Sequence, residues 1–551
     1  MIGGVAALLL ATSPVAARVM TVAPAEAGLT TYANARAWEI ARDPRRSAAL
    51  YAQLAAAEPG NMLAADRAIG NAIAGVDQTL ALRLARGRPV DGLAADARLL
   101  LAADAIRGGE SARALTYLVK GGGADLSFLQ PVVSAWMRTA AWDANAIDAL
   151  AGLSDRSAVA LHLDEQKALM LLALGQAAKA QPLMRFALAT AGGREDALRL
   201  AFADALAAGG DRAGALAMLP GTDTTEALAK AMIGRATPLG ARVTTPAAGF
   251  AQVLIALAVD LGRASDRGLP MALAQVAHFA APERADITIL LGLLCGEAER
   301  TDDGLALLRQ VPATSPLASV AHDSEVRMLV SAERKDEALV RARLHAGTGV
   351  ALADDEARVG DALSALDRDG EAAGAYARAV NLVEAGGPGP YPWTLHLLRG
   401  GALERAGRWG EAEPALERAL ALAPDNPMVL NYLGYARLER GGDQAAAEAL
   451  IARASAARPE DPSITDSLGW AQYRRGRLPE AIETLTRAAA ADPDQAEIHE
   501  HLGDALFSAG RRFEARFAWE AARVAADDPA VLARVAAKIA NGLPASATTA
   551  R

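Results

Sequence analysis

The chain offers few side chains placed for bond-making or metal chemistry. Its seven histidines are scattered, and the closest approach is "HEH" at His499 to His501. On a helix, residues two apart point about 200° away from one another, so these two imidazoles cannot face a single ion. His501 and Asp504 do share a face, but two ligands without a third form a hydrogen-bonded pair rather than a metal site. The sequence contains no Gly-x-Ser-x-Gly elbow, Walker loop, Cys-x-x-Cys pair or His-Glu-x-x-His helix, the commonest signatures of hydrolase, nucleotide and zinc chemistry. Cys295, the single cysteine, lies in the apolar run "LLGLLCGEAER", a setting for a buried small hydrophobe rather than a reactive thiolate. No catalytic residue, cofactor or metal is therefore expected, and the chain reads as a non-enzyme. What remains is a set of aromatic and polar residues at matched spacing: Asn431, Tyr435 and Leu438, then Asp466, Trp470 and Tyr473, then Glu500, Asp504 and Phe507.

The elements that must position them are repeats. Gly400, Gly434, Gly469 and Gly503 recur 34, 35 and 34 residues apart, each inside similar surroundings. Each copy continues in phase: Gly407, Ala412, Leu416, Ala419 and Pro424 in the first, Gly476, Ala481, Leu485, Ala488 and Pro493 in the third, Gly510, Ala515, Trp519 and Ala522 in the last. The second keeps Ala447, Ile451, Ala454 and Pro459 once one residue is added at Gly441-Gly442. A glycine on one helix, a glycine at the turn, a small-large-small stripe on a second helix and a closing proline spell a helix-turn-helix of about 34 residues. The expected fold is all-α, a tetratricopeptide-type helical-hairpin solenoid coiled as a right-handed superhelix. The first helix of each hairpin lines the concave groove, and residues three before, one after and four after its glycine fall on the open face by i, i+4, i+7 spacing. That rule selects the nine residues above as a partner-binding groove. Aromatic bodies beside amide and carboxylate heads suit a protein or peptide partner. The acidic bias argues against a Lys/Asn clamp for a terminal carboxylate. Arg474, Arg475 and Arg477 read as a solvated turn.

Composition agrees with helices throughout. The 551 residues are 52% hydrophobic but only 4% aromatic, with Ala and Leu dominant, which is helix-forming chemistry. Dispersed basic residues and a net charge of −9 exclude the electrostatic footprint of a nucleic-acid binder. The organisation expected is a signal or N-terminal segment at 1–27, a degenerate helical array at 28–240, a middle array at 241–385, a regular stack at 386–540 and a tail at 541–551. The divisions rest on "GRATPLGARVTTPAAG" (Gly234 to Gly249) and "GGPGPYP" (Gly386 to Pro392), both poor in helix formers. Ile2 to Ala17 is an uncharged run ending in small residues, with Ala25-Glu26-Ala27 as a second cleavable triplet. At about 24 Å as a helix it is short for a bilayer core of roughly 30 Å, so it reads as a signal segment, without a nearby lipobox cysteine and without a preceding Lys or Arg. The expected location is the periplasm, with the cytoplasm as the alternative.

Beyond the generic repeat, four words resemble a proteobacterial cell-envelope tetratricopeptide family: "LLRQVPATSPLASVA" (Leu307 to Ala321), "RGGALERAGRWGEAEPALERALALAPDNPMVLNYLGY" (Arg399 to Tyr435), "DSLGWAQYRRG" (Asp466 to Gly476) and "HLGDALFSAGRRFEARFAWEAA" (His501 to Ala522). This family is similar to the one holding the outer-membrane lipoprotein adaptor of a periplasmic carboxy-terminal processing protease. The resemblance implies an adaptor or scaffold role in the envelope, with a periplasmic protease or a peptidoglycan enzyme as partner. A cytoplasmic assembly or regulatory module is the alternative.

Overall fold

Large side chains seated on glycine backbones organise the chain's helical hairpins. In the computed structural model, which describes residues 24–121, 124–153, 157–262, 268–347 and 352–543, the described residues form 29 α-helices joined by turns, short 3-10 segments and a few longer connections. The only strand pairing among them is the two-residue ladder of Lys120–Gly121 with Ala124–Asp125. No helix there is long and apolar enough to cross a membrane. The expected signal segment falls largely on residues 1–23, and most of the expected tail on 544–551, both outside the described residues.

Four C-terminal hairpins follow the sequence pattern closely. They pair Pro392–Arg405 with Trp409–Leu422, Pro427–Glu439 with Gln444–Ala457, Pro462–Arg474 with Leu478–Ala491, and Ala496–Ser508 with Arg512–Ala525, and Pro529–Asn541 follows as a final helix. Asn426 and Asp461 cap first helices with their side-chain oxygens, each followed by a proline at the first helical position; the caps satisfy amides that the helix leaves orphaned, and proline there sacrifices no bond. A Cβ on Gly400, Gly434, Gly469 or Gly503 would come within 2.6, 2.7, 2.6 and 2.3 Å of Leu416, Ile451, Leu485 and Trp519 respectively. The absent Cβ is thus the seat on which each second helix rests its largest core side chain. Gly476 turns the hairpin at φ +75°, a left-handed conformation that costs glycine nothing.

The middle hairpins use the same seat with different punctuation. Gly360 faces Tyr376 and Gly292 faces Leu308, again sixteen residues on. Their turns carry Asp367 and Glu299 at φ +56° and +60° where the C-terminal copies have glycine. Compactness divides the chain into one unit running up to Leu219 together with Lys230–Ser315, and a second of Pro220–Ala229 together with the residues from Pro316 on. This cut differs from the expected boundaries at 240/241 and 385/386. Its cause is that Pro246–Leu261 and Gly268–Ala280, expected to open the middle array, pack back against Ala95–Arg107, with Gln130–Ala140 against the former and Met62–Ala74 against the latter. Pro246–Leu261 is buried continuously from Ala248 to Ala258, as a helix apolar all round must be. Gly249 meets the ring of Trp136, which is fully buried and donates its indole N–H to Gln166 Oε1 at 2.8 Å.

Candidate functional site

Three successive first helices, Pro427–Glu439, Pro462–Arg474 and Ala496–Ser508, share a polar surface in the C-terminal unit. A pocket of about 340 Å³ runs across them, with Glu404 of Pro392–Arg405 at one side. Its wall holds the Asn431 amide, the Tyr432 and Tyr435 rings, and the carboxylates of Glu404, Glu439, Asp466 and Glu497. The Tyr435 hydroxyl donates to Glu497 Oε1 at 3.0 Å, bridging two repeats across the helix between them. Burial, reinforced by Glu497 and Glu439, raises the pKa of Tyr435 well above the usual phenol range, so it stays a donor. Asn431 Oδ1 is buried and has no hydrogen-bond partner within the protein.

Ion pairs step from each first helix to the next. Arg440 reaches Glu404 at 2.7 Å and Arg474 reaches Glu439 at 3.0 Å, while the Trp470 indole donates to the same Glu439 oxygen at 2.6 Å. The Trp470 ring is stacked against both His501, at 4.1 Å between centroids, and Tyr473, at 4.9 Å. His501 Nδ1 lies 3.0 Å from both oxygens of Asp466. Burial opposes a charged His501, but Asp466, with Glu497 and Asp504 behind it, outweighs burial and raises the ring's pKa.

A pH dependence follows. A histidine whose folded pKa exceeds its unfolded value of about 6.5 contributes stability that is fully present below that value and is lost as pH rises through the folded pKa. His501→Gln is therefore expected to lower the melting temperature of the C-terminal unit at pH 6 and to matter progressively less toward pH 9. Equal losses at both ends of that range would show that the Asp466 pair is not the source.

The nine expected groove residues separate into three groups. Asn431, Tyr435 and Asp466 line the pocket, Asp466 from a nearly sealed position. Trp470 and Tyr473 are half-buried between repeats, and the Tyr473 hydroxyl lies 3.1 Å from Ser508 Oγ. The remainder are corrections. Leu438 is 0% exposed and packs with Ala447, Ile451 and Ala471, because the position four after the glycine turns toward the next repeat. Glu500 and Asp504, 4% and 6% exposed, are covered by the final helix. Arg534 forks onto Glu500 at 2.7 and 2.8 Å, and Lys538 reaches Asp504 at 2.6 Å. Phe507 lies on Trp519, 5.4 Å between centroids. The last repeat of an array needs a covering helix, and that helix takes this face out of the groove.

Glu404, Tyr432, Glu439 and Glu497 are pocket residues that the three-position rule does not select. Their signal was the recurrence of Glu404 and Glu439 thirty-five residues apart near the ends of first helices, with Arg440 and Arg474 following in step. His499 turns its Nε2 to the carbonyl of Pro493 at 2.9 Å, away from His501, as their spacing requires. Cys295 is buried, which pushes its thiol up to about 11. Arg475 and Arg477, expected to be solvated only, both pair with Glu448.

Residues 397–462 match the tetratricopeptide repeat family, and residues 469–510 match a TPR repeat family. No curated protein matches the sequence. Among solved structures, the chain is similar to the APC/C hetero-tetramer Cut9-Hcn1, at 14% identity over 94% of this chain and 97% of that chain, with a TM-score of 0.39. It is similar to a tetratricopeptide repeat protein from Parabacteroides merdae ATCC 43184, at 13% identity over 47% of this chain and 99% of that one, with a TM-score of 0.38. A third similarity, to YrrB, described as a TPR protein with an unusual peptide-binding site, is 18% identical over 33% and 90% of the two chains, with a TM-score of 0.26.

Proposed function

Taking the chain as a tetratricopeptide-repeat protein, we propose that it is a non-catalytic scaffold that binds a polypeptide partner on the first-helix face of its C-terminal repeats. One observation carries the reading: a single pocket spans three consecutive first helices and is walled by aromatic rings and hydrogen-bonding groups. Such walls give a polypeptide both stacking area and directional bonds. The proposed setting is the bacterial cell envelope, supported by the uncharged run from Ile2 to Ala17 with the small residues that end it and by the family words described above. The proposed partner is a periplasmic protease or a peptidoglycan enzyme.

The test combines location and binding. A tagged chain expressed from its native locus is fractionated, its first residue read by mass spectrometry, and its partners captured from the envelope fraction beside those of Trp470→Ala. Trp470 sits at the edge of the core cluster and beside the pocket residue Glu439. Its truncation is expected to weaken partner binding by about 2 kcal/mol or more while costing roughly 1 to 2 kcal/mol of stability. An intact Met1 in the cytoplasm would replace the envelope setting with a cytoplasmic assembly module. Full partner retention by a folded Trp470→Ala chain would refute this face as the binding surface.

A further inference from the structure

We propose that the pocket across the three first helices receives an arginine side chain of the bound polypeptide, its guanidinium set among the Tyr432 and Tyr435 rings and the carboxylates of Glu439 and Glu497. The proposal rests on the scaffold reading above and names what that surface selects.

Charge is the first argument. Four carboxylates line the pocket and no Lys or Arg does. The cations nearby are already engaged: Arg405, beside Tyr432, with Asp369, Arg440 with Glu404, Arg474 with Glu439, and His501 with Asp466. Glu439 and Glu497 remain substantially exposed, at 43% and 64% of their side chains, so a ligand can reach both. Tyr435 reports the same field, since Glu497 and Glu439 add to burial in raising its pKa, whereas at Tyr432 the neighbouring Arg405 opposes burial and Glu404.

A precedent within the chain is the second argument. Where the same helix face is covered by the protein's own next helix, it takes basic side chains: Arg534 forks onto Glu500, and Lys538 joins Glu500 to Asp504. Guanidinium fits this pocket better than ammonium, because it is planar, stacks on aromatic faces and presents several donors at once to carboxylate oxygens. The volume, about 340 Å³, lies at the small end of ligand pockets and accommodates a side chain rather than a large cofactor.

The test uses the full chain and nine-residue peptides of one neutral sequence with arginine, lysine or citrulline at the centre, read by fluorescence anisotropy. Citrulline keeps the shape and removes the charge. The arginine peptide is expected to bind at least tenfold more tightly than the citrulline peptide, with lysine between them. Glu439→Gln with Glu497→Gln is expected to remove that tenfold preference while the melting curve stays cooperative. Glu480→Gln with Glu483→Gln makes the same change of charge on the second helix Leu478–Ala491 and is expected to leave the preference intact. Equal binding of arginine and citrulline peptides would overturn the proposal, as would an equal loss in the two double variants, which would mean long-range attraction alone. If all three peptides bind alike and all are lost in Trp470→Ala, the groove reading stands and the arginine pocket falls. Binding by none of the three overturns the arginine pocket and leaves the groove to the partner-capture experiment.

Discussion

Trp519→Ala is expected to cost about 3 to 5 kcal/mol of stability in the C-terminal repeats, the range for emptying a fully buried tryptophan site. Trp519 is 2% exposed and stands at the centre of a cluster with Leu506, Ala515, Ala518, Ala522 and Val535. Its ring rests on Gly503, where a Cβ would come within 2.3 Å, and its indole N–H donates to Asp504 at 2.9 Å. Truncation therefore removes core volume from three helices and a hydrogen bond from a buried carboxylate in one step. Trp519→Leu, which installs the residue found at the equivalent places Leu416 and Leu485, is expected to lose less. Hydrogen exchange should show the loss concentrated from Ala496 to Asn541, since repeats fail locally through neighbour interfaces. A loss under about 1 kcal/mol would contradict the seating of this side chain.

A loss of comparable size is expected in the other compact unit from Arg194→Met. Arg194 and Glu165 are both nearly sealed and bonded through two contacts, at 2.8 and 3.0 Å. Gln252 adds a bond to Glu165 at 2.7 Å, Arg284 bonds Gln252 at 3.0 Å, and His162 lies 3.3 Å from Arg194. Removing only the arginine leaves a buried carboxylate that keeps its bond from Gln252 but loses its paired guanidinium. Such half-broken pairs typically lose about 3 to 5 kcal/mol. The double replacement Arg194→Met with Glu165→Leu is expected to recover most of that loss, because two desolvation costs disappear together. Urea titration of the single and double variants measures both numbers. A double variant no more stable than the single would show that packing at Arg194, rather than charge, controls this core.

The C-terminal hairpins were legible because their determinants are local and repeated. Gly469 and Leu485 stand sixteen residues apart, and the contact between them needs only one hairpin to form. The middle hairpins were harder to read, although Gly292 and Leu308 make the same seat. Their turns put Glu299 and Asp367 in the left-handed conformation, which non-glycine residues adopt uncommonly, so no glycine marks these turns in the sequence. Gln252, Glu165 and Arg194 could not be read as core at all. Polar residues are usually exposed, and only the return of Pro246–Leu261 into the first unit buries them together.

The sequence by itself therefore determined the all-α repeat architecture of the C-terminal stack, its helix ends and the glycine seats within each hairpin, since these depend on residues fewer than twenty positions apart. It also determined that the first-helix face is aromatic and acidic. Tertiary structure alone decided which parts of that face can meet a partner. Asn431 and Tyr435 stand on a pocket wall, whereas Glu500 and Asp504, equivalent by spacing, are buried under Arg534 and Lys538. Leu438 turned inward although Tyr473, at the same repeat position, is only half-buried. The physical reason is common to all of them: spacing fixes the direction in which a side chain leaves its helix, but exposure is fixed by whatever packs over it, the final helix a repeat away for Glu500 and Asp504, and for Leu438 both its own hairpin's second helix and the next first helix.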